Sequence, residues 1–341
     1  MVRWEIRAAT RDDHDALLAL SRHLDSVNLP HDPTEIADLL AHSEASFRGQ
    51  VRDPRRRQYV FVLCDRETGR AVATSMIIGQ LGRKDAPYIY FDVFEEQKYS
   101  ATLDRHFRHT VLSIGFSYDG PTEIGGLVVH PEYRLTPDRL GMLISYVRFL
   151  FIATRRADFR DELLAELMPP LEPDGTSHLW EAVGRHFTGL SYREADRLSK
   201  RNKEFIKTLF PDGDIYVSLL PREAQAVVGR VGPQTRGVEK LLRRIGFRYA
   251  NRVDPFDGGP HFIAPTDEVV LVQRTVRRRI RRGIVAGGVR ALVARETASA
   301  PWFRAVSATA FVGSDVVAIG DEACRVLEVD DGDEVAVLPL D

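Results

Sequence analysis

The sequence is poor in cysteine, with two, Cys64 and Cys324, among 341 residues. Two thiols alone build neither a disulfide framework nor a zinc site. Both sit in apolar, strand-like runs, which predicts buried free thiols rather than reactive ones. Long hydrophobic runs are also missing. The most apolar stretch, Tyr146 to Ala153, is far short of the roughly 20 residues that span a bilayer. The opening residues, Val2 to Glu5, carry no apolar segment of a secretion signal. The expectation is a cytoplasmic protein with no membrane partner. An excess of positive charge is missing too: Lys+Arg number 47 and Asp+Glu 49, for a net charge of -2. That balance argues against a general nucleic-acid binder. What remains is ordinary, 44% hydrophobic and 28% charged. The chain is long enough for two domains with sizeable cores.

Apolar periodicity predicts a strand over 4–8, then a helix entered at Thr10. The runs 58–64 and 71–78 flank a turn-forming segment and read as a hairpin. Another strand covers 122–129. A helix is expected from Pro137 to Arg156, capped by Thr136, with Leu140, Leu143, Ile144, Val147 and Phe151 on its apolar stripe. Further on come a short strand at 163–168, a helix at 179–184 stopped by glycine, and a strand at 215–220. A helix at 239–247 is again stopped by glycine and followed by an aromatic. The likeness of 179–187 to 241–247 suggests an internal duplication.

The segment Arg274 to Gly283 carries six arginines. A solvated helix or linker is the preferred reading over a patch for nucleic acid or acidic protein, because no aromatic platform interleaves. His106 and His109 read as neighbours on a helix. With no third ligand in view, no metal site is expected. The tail from Val312 reads as a small β appendage.

The informative stretch is Gly126 to Arg134 (GLVVHPEYR), a strand that ends in V-x-P-x-x-R and delivers its loop onto a helix N-terminus. Loop amides and the positive end of a helix dipole favour phosphate anions, and an arginine adds charge. This pattern resembles the acyl-CoA-binding strand, loop and helix of the GNAT acyltransferase superfamily. Across residues 3 to 340 the chain is similar to the arginine N-succinyltransferase family. The similarity rests on YVFVL at 59–63, Leu127 to Arg134, Arg148 to Ala153, EAQ at 223–225, PQT at 233–235, GFRY at 246–249, FDGGP at 256–260 and GDEV at 332–335. PQT and FDGGP are the most specific of these.

The resemblance implies an α/β (α+β) GNAT-like fold, duplicated into two such units, plus the small C-terminal β appendage. The expected division is an acyl-CoA-binding domain over 1–190, a second GNAT-like half contributing to the substrate site over 191–273, and an Arg-rich linker with β tail over 274–341. The implied co-substrate is succinyl-CoA or another acyl-CoA, without metal. The implied partner is arginine or an ornithine-like amine, and the assembly is a homo- or hetero-oligomer with a related subunit. The amine attacks the thioester carbonyl directly, with strand N–H groups on the oxyanion. Leu127, Val128, Val129, Arg134, Arg139, Gly141 and Met142 are assigned to the acyl-CoA. Asn28, Gln234 and Thr235 are assigned to the substrate. Asp254 and Asp257 could meet a guanidinium bidentately, or could simply form a turn.

Two departures stand out. The family places a histidine, read as its proton donor, immediately before Pro-Gln-Thr, and here that position is Gly232. His261 and Tyr133 are the candidates for the vacant role, with His130 and Asp257 behind them. The loop from Arg134 to Gly141 is also longer than the family's and poor in glycine, and Pro137 has no N–H to offer. These departures keep open a diverged or non-catalytic subunit, or an acyltransferase for another amine.

Overall fold

The computed structural model describes residues 2–23, 28–83, 86–172, 174–199, 202–283 and 287–340. Ser26 and Val27, part of the loop that carries Asn28, lie outside these residues. Among the described residues the strands are β1 (Trp4–Ala8), β2 (Gln58–Asp65), β3 (Arg70–Ile78), β4 (Tyr88–Ser100), β5 (Arg105–Ser117), β6 (Thr122–Val129), β7 (Glu162–Glu166) and β8 (Ile215–Tyr216). They continue as β9 (Arg248–Val253), β10 (Pro260–Pro265), β11 (Val276–Arg282), β12 (Val289–Glu296), β13 (Phe303–Val312), β14 (Val316–Ile319) and β15 (Glu334–Pro339). The helices of the first half are α1 (His14–Ser21), α2 (Pro33–Phe47), α3 (Leu140–Thr154), α4 (His178–Ala182) and α5 (Gly184–Thr188). The rest are α6 (Tyr192–Ser199), α7 (Glu204–Leu209), α8 (Arg222–Val227), α9 (Arg236–Arg244), α10 (Val270–Arg274) and α11 (Asp321–Leu327). The mixed α/β class expected from the sequence is what is observed.

The chain forms two compact units that interleave along the sequence. The first comprises Met1–Gly79, Thr122–Asp161 and Thr266–Asp341, the second Gln80–Pro121 and Glu162–Pro265. Consecutive boundaries at 190 and 273 do not coincide with these units. A chain that leaves a unit and later returns to it leaves no compositional mark at the crossing.

In the first unit β1, β2, β3 and β6 make an antiparallel sheet, with Trp4 opposite Asp65 and Ile77 opposite Ile124. Apolar residues of α1 and α2 (Leu17, Leu20, Ile36 and Leu40) pack with Val60, Val62 and Met76 of the sheet. Phe61, Phe151 of α3 and Phe303 of β13 meet edge to face, each ring centroid 5.4 Å from the other two. The hairpin of β2 and β3 and the strand β6 agree with the sequence reading.

The Arg-rich segment is neither helix nor linker. Residues 276–282 form β11, parallel to β14 and antiparallel to β15. Ile280 is buried, with Arg277, Arg279 and Arg281 exposed on the opposite face of the strand and Arg278 and Arg282 flanking Ile280 on its own face. Arg277 pairs with Glu334 at 2.8 Å, and Arg282 donates to Asp330 Oδ1 at 2.5 Å. β12, β15, β11, β14 and β13 then close on themselves through the β12–β13 pairing. Val293, Val306, Val317, Ile319 and Val337 fill the interior. The tail is therefore a closed barrel with its own core. It is not an appendage, because β13 also pairs with β1, Glu5 opposite Val306. Its CRVL run is helical (α11) rather than β, and Cys324 is a buried free thiol there. Cys64 is likewise buried and free, on β2.

The second unit is built on a long hairpin, β4 with β5, that the sequence reading missed. β4 also pairs with β9, β9 with β10 and β10 with β7. Trp180 of α4 stacks on Phe256 and anchors this core, at 5.0 Å between centroids. His106 and His109 lie on β5, not on a helix. Three residues apart on a strand, they point to opposite faces. The expected strand at 215–220 is cut to β8, followed by a 3-10 turn over Val217–Leu219. Gly184 does not stop a helix but opens α5, and a Cβ there would lie 2.3 Å from the Trp180 ring. Gly246, at φ 109, does follow the end of α9. The two glycines therefore play different parts, and the likeness of 179–187 to 241–247 ends there.

Candidate functional site

In the first unit, β6 carries a bulge. Thr74 of β3 faces Val128 and Met76 faces Gly125, so Gly126 and Leu127 together oppose Ser75. An extra residue in one strand leaves a backbone group outside the ladder and bends the strand. Gly126 sits at φ 56 and a Cβ there would meet Met76 Cε at 2.5 Å, so this position needs glycine on both counts. Asn28 lies over the bulge and donates through Nδ2 to Glu123 Oε1 at 2.5 Å. A Cβ on Gly125 would lie 2.6 Å from that Nδ2.

β6 ends at Val129, and Pro131–Tyr133 forms a 3-10 turn. α3 begins at Leu140, three residues later than expected, and Thr136 does not cap it. Its hydroxyl donates back to Tyr133 O at 3.1 Å, and Arg139, at φ 53, leads into the helix instead. The helix entry therefore stands on Arg139, Leu140, Gly141 and Met142, with Met142 N–H donating to Arg139 O at 2.9 Å. Arg134 is exposed, and its Nε donates to Val129 O at 3.0 Å, folding the loop back on the strand end. Asp138 accepts from Trp4 Nε1 at 2.7 Å, which ties up that carboxylate. Exposed arginines at the start of a 15-residue helix suit phosphate groups. Tyr133 packs edge-on to Trp4 and to His130. Among the described residues, buried His130 Nδ1 has no hydrogen-bond partner.

The second unit gathers a different set. On β10 and β7, His261 and Glu166 are direct cross-strand partners, so their side chains share a face. His261 is fully buried. Its Nδ1 shares a 2.6 Å hydrogen bond with the Tyr88 hydroxyl, and its Nε2, without a hydrogen bond among the described residues, lies 3.6 Å from Glu166 Oε1. Burial, with Arg252 and Lys203 adding to it, lowers the ring pKa to about 3. The imidazole is therefore neutral. Tyr88 is held protonated by burial and by the charge of Glu166. With the Tyr88 O–H donating to Nδ1, the ring proton sits on Nε2 and faces the Glu166 carboxylate. Asp254 completes the group, the three ligand atoms lying within 4.8 Å of one another. With the ring N–H turned toward Glu166, the Glu166 and Asp254 carboxyl groups are the ones that can receive an ammonium or a guanidinium.

Asp254 and Asp257 do form a turn. Asp254 Oδ1 accepts from the Phe256 N–H at 2.6 Å, and Asp257 Oδ1 from the Gly259 N–H at 2.7 Å. Burial pushes both carboxyls up from the usual range, and the neighbouring Asp254 charge pushes Asp257 further.

The PQT and FDGGP segments converge on residues 167–169. Met168 O accepts from the Gly232 N–H at 2.8 Å and from Thr235 Oγ1 at 2.9 Å. A Cβ on Gly232 would lie 2.6 Å from Pro169 O, and one on Gly259 2.4 Å from Leu167 O. The backbone at 232 is thus packed where any side chain would collide. Gln234 is exposed beside it. Sequence reasoning missed Tyr88 and Glu166. Glu166 lies in an expected strand, but only the strand pairing brings it opposite His261.

The sequence matches the profile of the arginine N-succinyltransferase beta subunit family over residues 4–271. An arginine N-succinyltransferase of Yersinia pestis (strain Pestoides F) is 32% identical over 322 residues, 92% of this chain and 90% of the relative. The arginine N-succinyltransferase subunit beta of Pseudomonas aeruginosa is 34% identical over 267 residues, 77% of each chain. The solved structure of arginine/ornithine succinyltransferase subunit AI from Pseudomonas aeruginosa aligns over 100% of both chains, with a TM-score of 0.84 and 28% identity.

Proposed function

The chain belongs to the arginine N-succinyltransferase family, and on that premise we propose that it transfers the succinyl group of succinyl-CoA to the α-amine of L-arginine or an ornithine-like amine. The observation that carries this reading is the Gly126–Leu127 bulge in β6, followed by an arginine-lined helix entry. A bulge frees strand N–H groups for the thioester oxygen as it becomes an oxyanion, a role assigned here to Leu127 and its neighbours Val128 and Val129. Arg134, Arg139 and Gly141 take the phosphates of CoA, and Met142 closes the turn that presents them.

The amine nitrogen bonds to the thioester carbon, the C–S bond breaks, and the leaving thiolate takes a proton. Tyr133 is the candidate acid for that step. Within the second unit, Glu166 is the group able to accept a proton, because its carboxylate is part exposed, whereas neutral, buried His261 orients it. Asp254 and Asp257, with Gln234 and Thr235, belong to the amine side in this reading, and Asn28 to the bulge. An oligomer, of one chain or with a related subunit, is part of the same proposal. Exposed Phe94, Tyr99, Leu103 and Phe107 on the β4–β5 hairpin supply apolar surface for it.

Gly232 favours a second reading, a partner subunit without activity of its own. Mass spectrometry of a mixture with succinyl-CoA and L-arginine, alongside calorimetry of CoA binding, separates the two. The enzyme reading expects N-succinyl-arginine and saturable CoA binding, and the partner reading expects neither. CoA binding without product, across several basic amino acids, would contradict the proposed reaction.

A further inference from the structure

Arg148 lies in the middle of α3 and is 2% exposed. Its guanidinium bonds are to Ser145 O from Nε at 3.1 Å, to Ser145 Oγ from Nη2 at 2.8 Å, and to Gly125 O from Nη1 at 3.3 Å. All three acceptors are neutral. Among the described residues no carboxylate pairs with it, and burial alone lowers its pKa, to about 9. It is still a cation at neutral pH. A guanidinium has five N–H groups, so two are left over, one on each terminal nitrogen. That pair suits the two oxygens of a carboxylate.

A buried cation without a counter-charge is costly to keep, and a protein that keeps one usually supplies the anion from elsewhere. The position says what that anion is. Nη1 touches Gly125, the residue just before the bulge, and Gly125 and Leu127 are both part exposed. Two residues along a strand span roughly 6.6 Å. That matches a short dicarboxylic acyl chain plus one hydrogen bond, laid from the thioester at Leu127 back to Gly125.

We propose that Arg148 binds the terminal carboxylate of the acyl group and so selects succinyl-CoA over uncharged acyl-CoAs. This rests on the reading of the chain as a succinyl-CoA-dependent acyltransferase. Ser145 orients the guanidinium through its carbonyl and hydroxyl. The other role open to Arg148 is to pin the bulge without touching the substrate.

The test is the ratio of kcat/KM for succinyl-CoA to that for butyryl-CoA, which has the same chain length and no carboxylate. The wild type is expected to favour succinyl-CoA on the order of a hundredfold, the discrimination available to a buried charged hydrogen bond. Arg148→Met is expected to bring the ratio close to one, mostly through KM. Arg148→Lys keeps the charge without the fork and is expected to fall between. A purely structural role lowers both rates together and leaves the ratio intact, and that outcome overturns the proposal. Because each preparation supplies its own ratio, partial misfolding does not imitate the effect. If Arg148→Met yields no soluble protein, Arg148→Lys and Ser145→Ala decide by the same ratio. A wild type that uses butyryl-CoA as well as succinyl-CoA overturns the proposal alone. A wild type that transfers neither acyl group overturns the acyltransferase reading beneath it.

Discussion

His261 shows how environment, rather than residue type, decides what a side chain can do. The sequence marks it as a candidate acid or base, yet its ring is buried and carries a pKa of about 3 against an ordinary 6.5. A group with that pKa stays neutral at physiological pH and acts by position, through Tyr88 on one nitrogen and Glu166 on the other. The depressed pKa has a thermodynamic consequence. Between pH 6.5 and 3 the unfolded ring binds a proton that the folded ring refuses, so this group withdraws stability as the pH falls. At pH 5 the loss relative to neutral pH is about 2 kcal/mol. Asp254 and Asp257 work in the opposite sense, because their raised pKa values relieve the native state as they protonate. Urea unfolding of wild type and His261→Gln at pH 7.5 and pH 5 isolates the histidine. The variant is expected to lose less stability on acidification, and an unchanged difference would contradict the assignment. Gly232 makes the complementary point. Its identity reads as a missing histidine, but the backbone there leaves no room for a side chain against Pro169. No sequence pattern carries that information.

Elements were legible where the local signal was strong. The β2–β3 hairpin has alternating β-rich runs around a turn, and β6 matches its expected bounds, Thr122–Val129. The entry of α3 departs from the expected one because Thr136 and Pro137 have every feature of a cap, while the true entry uses a left-handed Arg139, a conformation that side chains rarely adopt. The bulge is invisible in sequence except as the pair Gly125–Gly126. It makes a testable claim at this scale. Gly126→Ala is expected to cost about 1–2 kcal/mol in stability, from the positive φ and the collision with Met76. It is also expected to lower kcat on the order of a hundredfold, if the bulged strand supplies an oxyanion donor. Thermal unfolding and steady-state kinetics on the same sample check both parts. Lost stability with unchanged kcat would detach the bulge from the chemistry.

At the scale of the molecule, family and fold class were readable from short motifs spread along the chain, because PQT, FDGGP and the strand-to-helix loop are local. The division into units was not, since it depends on where the chain returns. The arginine-rich segment is the clearest case. Charge density suggested a solvated linker, but the alternation around Ile280 belongs to a barrel strand. The barrel is part of the first unit, through β13 against β1 and Phe303 against Phe61 and Phe151. A chain ending at Gln273 strips β1 of one neighbour and opens the aromatic core. It is expected to be insoluble or to melt far below the full chain, whereas an independent appendage would leave melting unchanged. The central claim is the reaction itself. Its most direct measurement is the rate of free-thiol release from succinyl-CoA by the purified full chain, with and without L-arginine. Release is expected to saturate in both substrates and to fall sharply in Gly126→Ala. Release no faster than spontaneous thioester hydrolysis, with arginine and with ornithine alike, would contradict it.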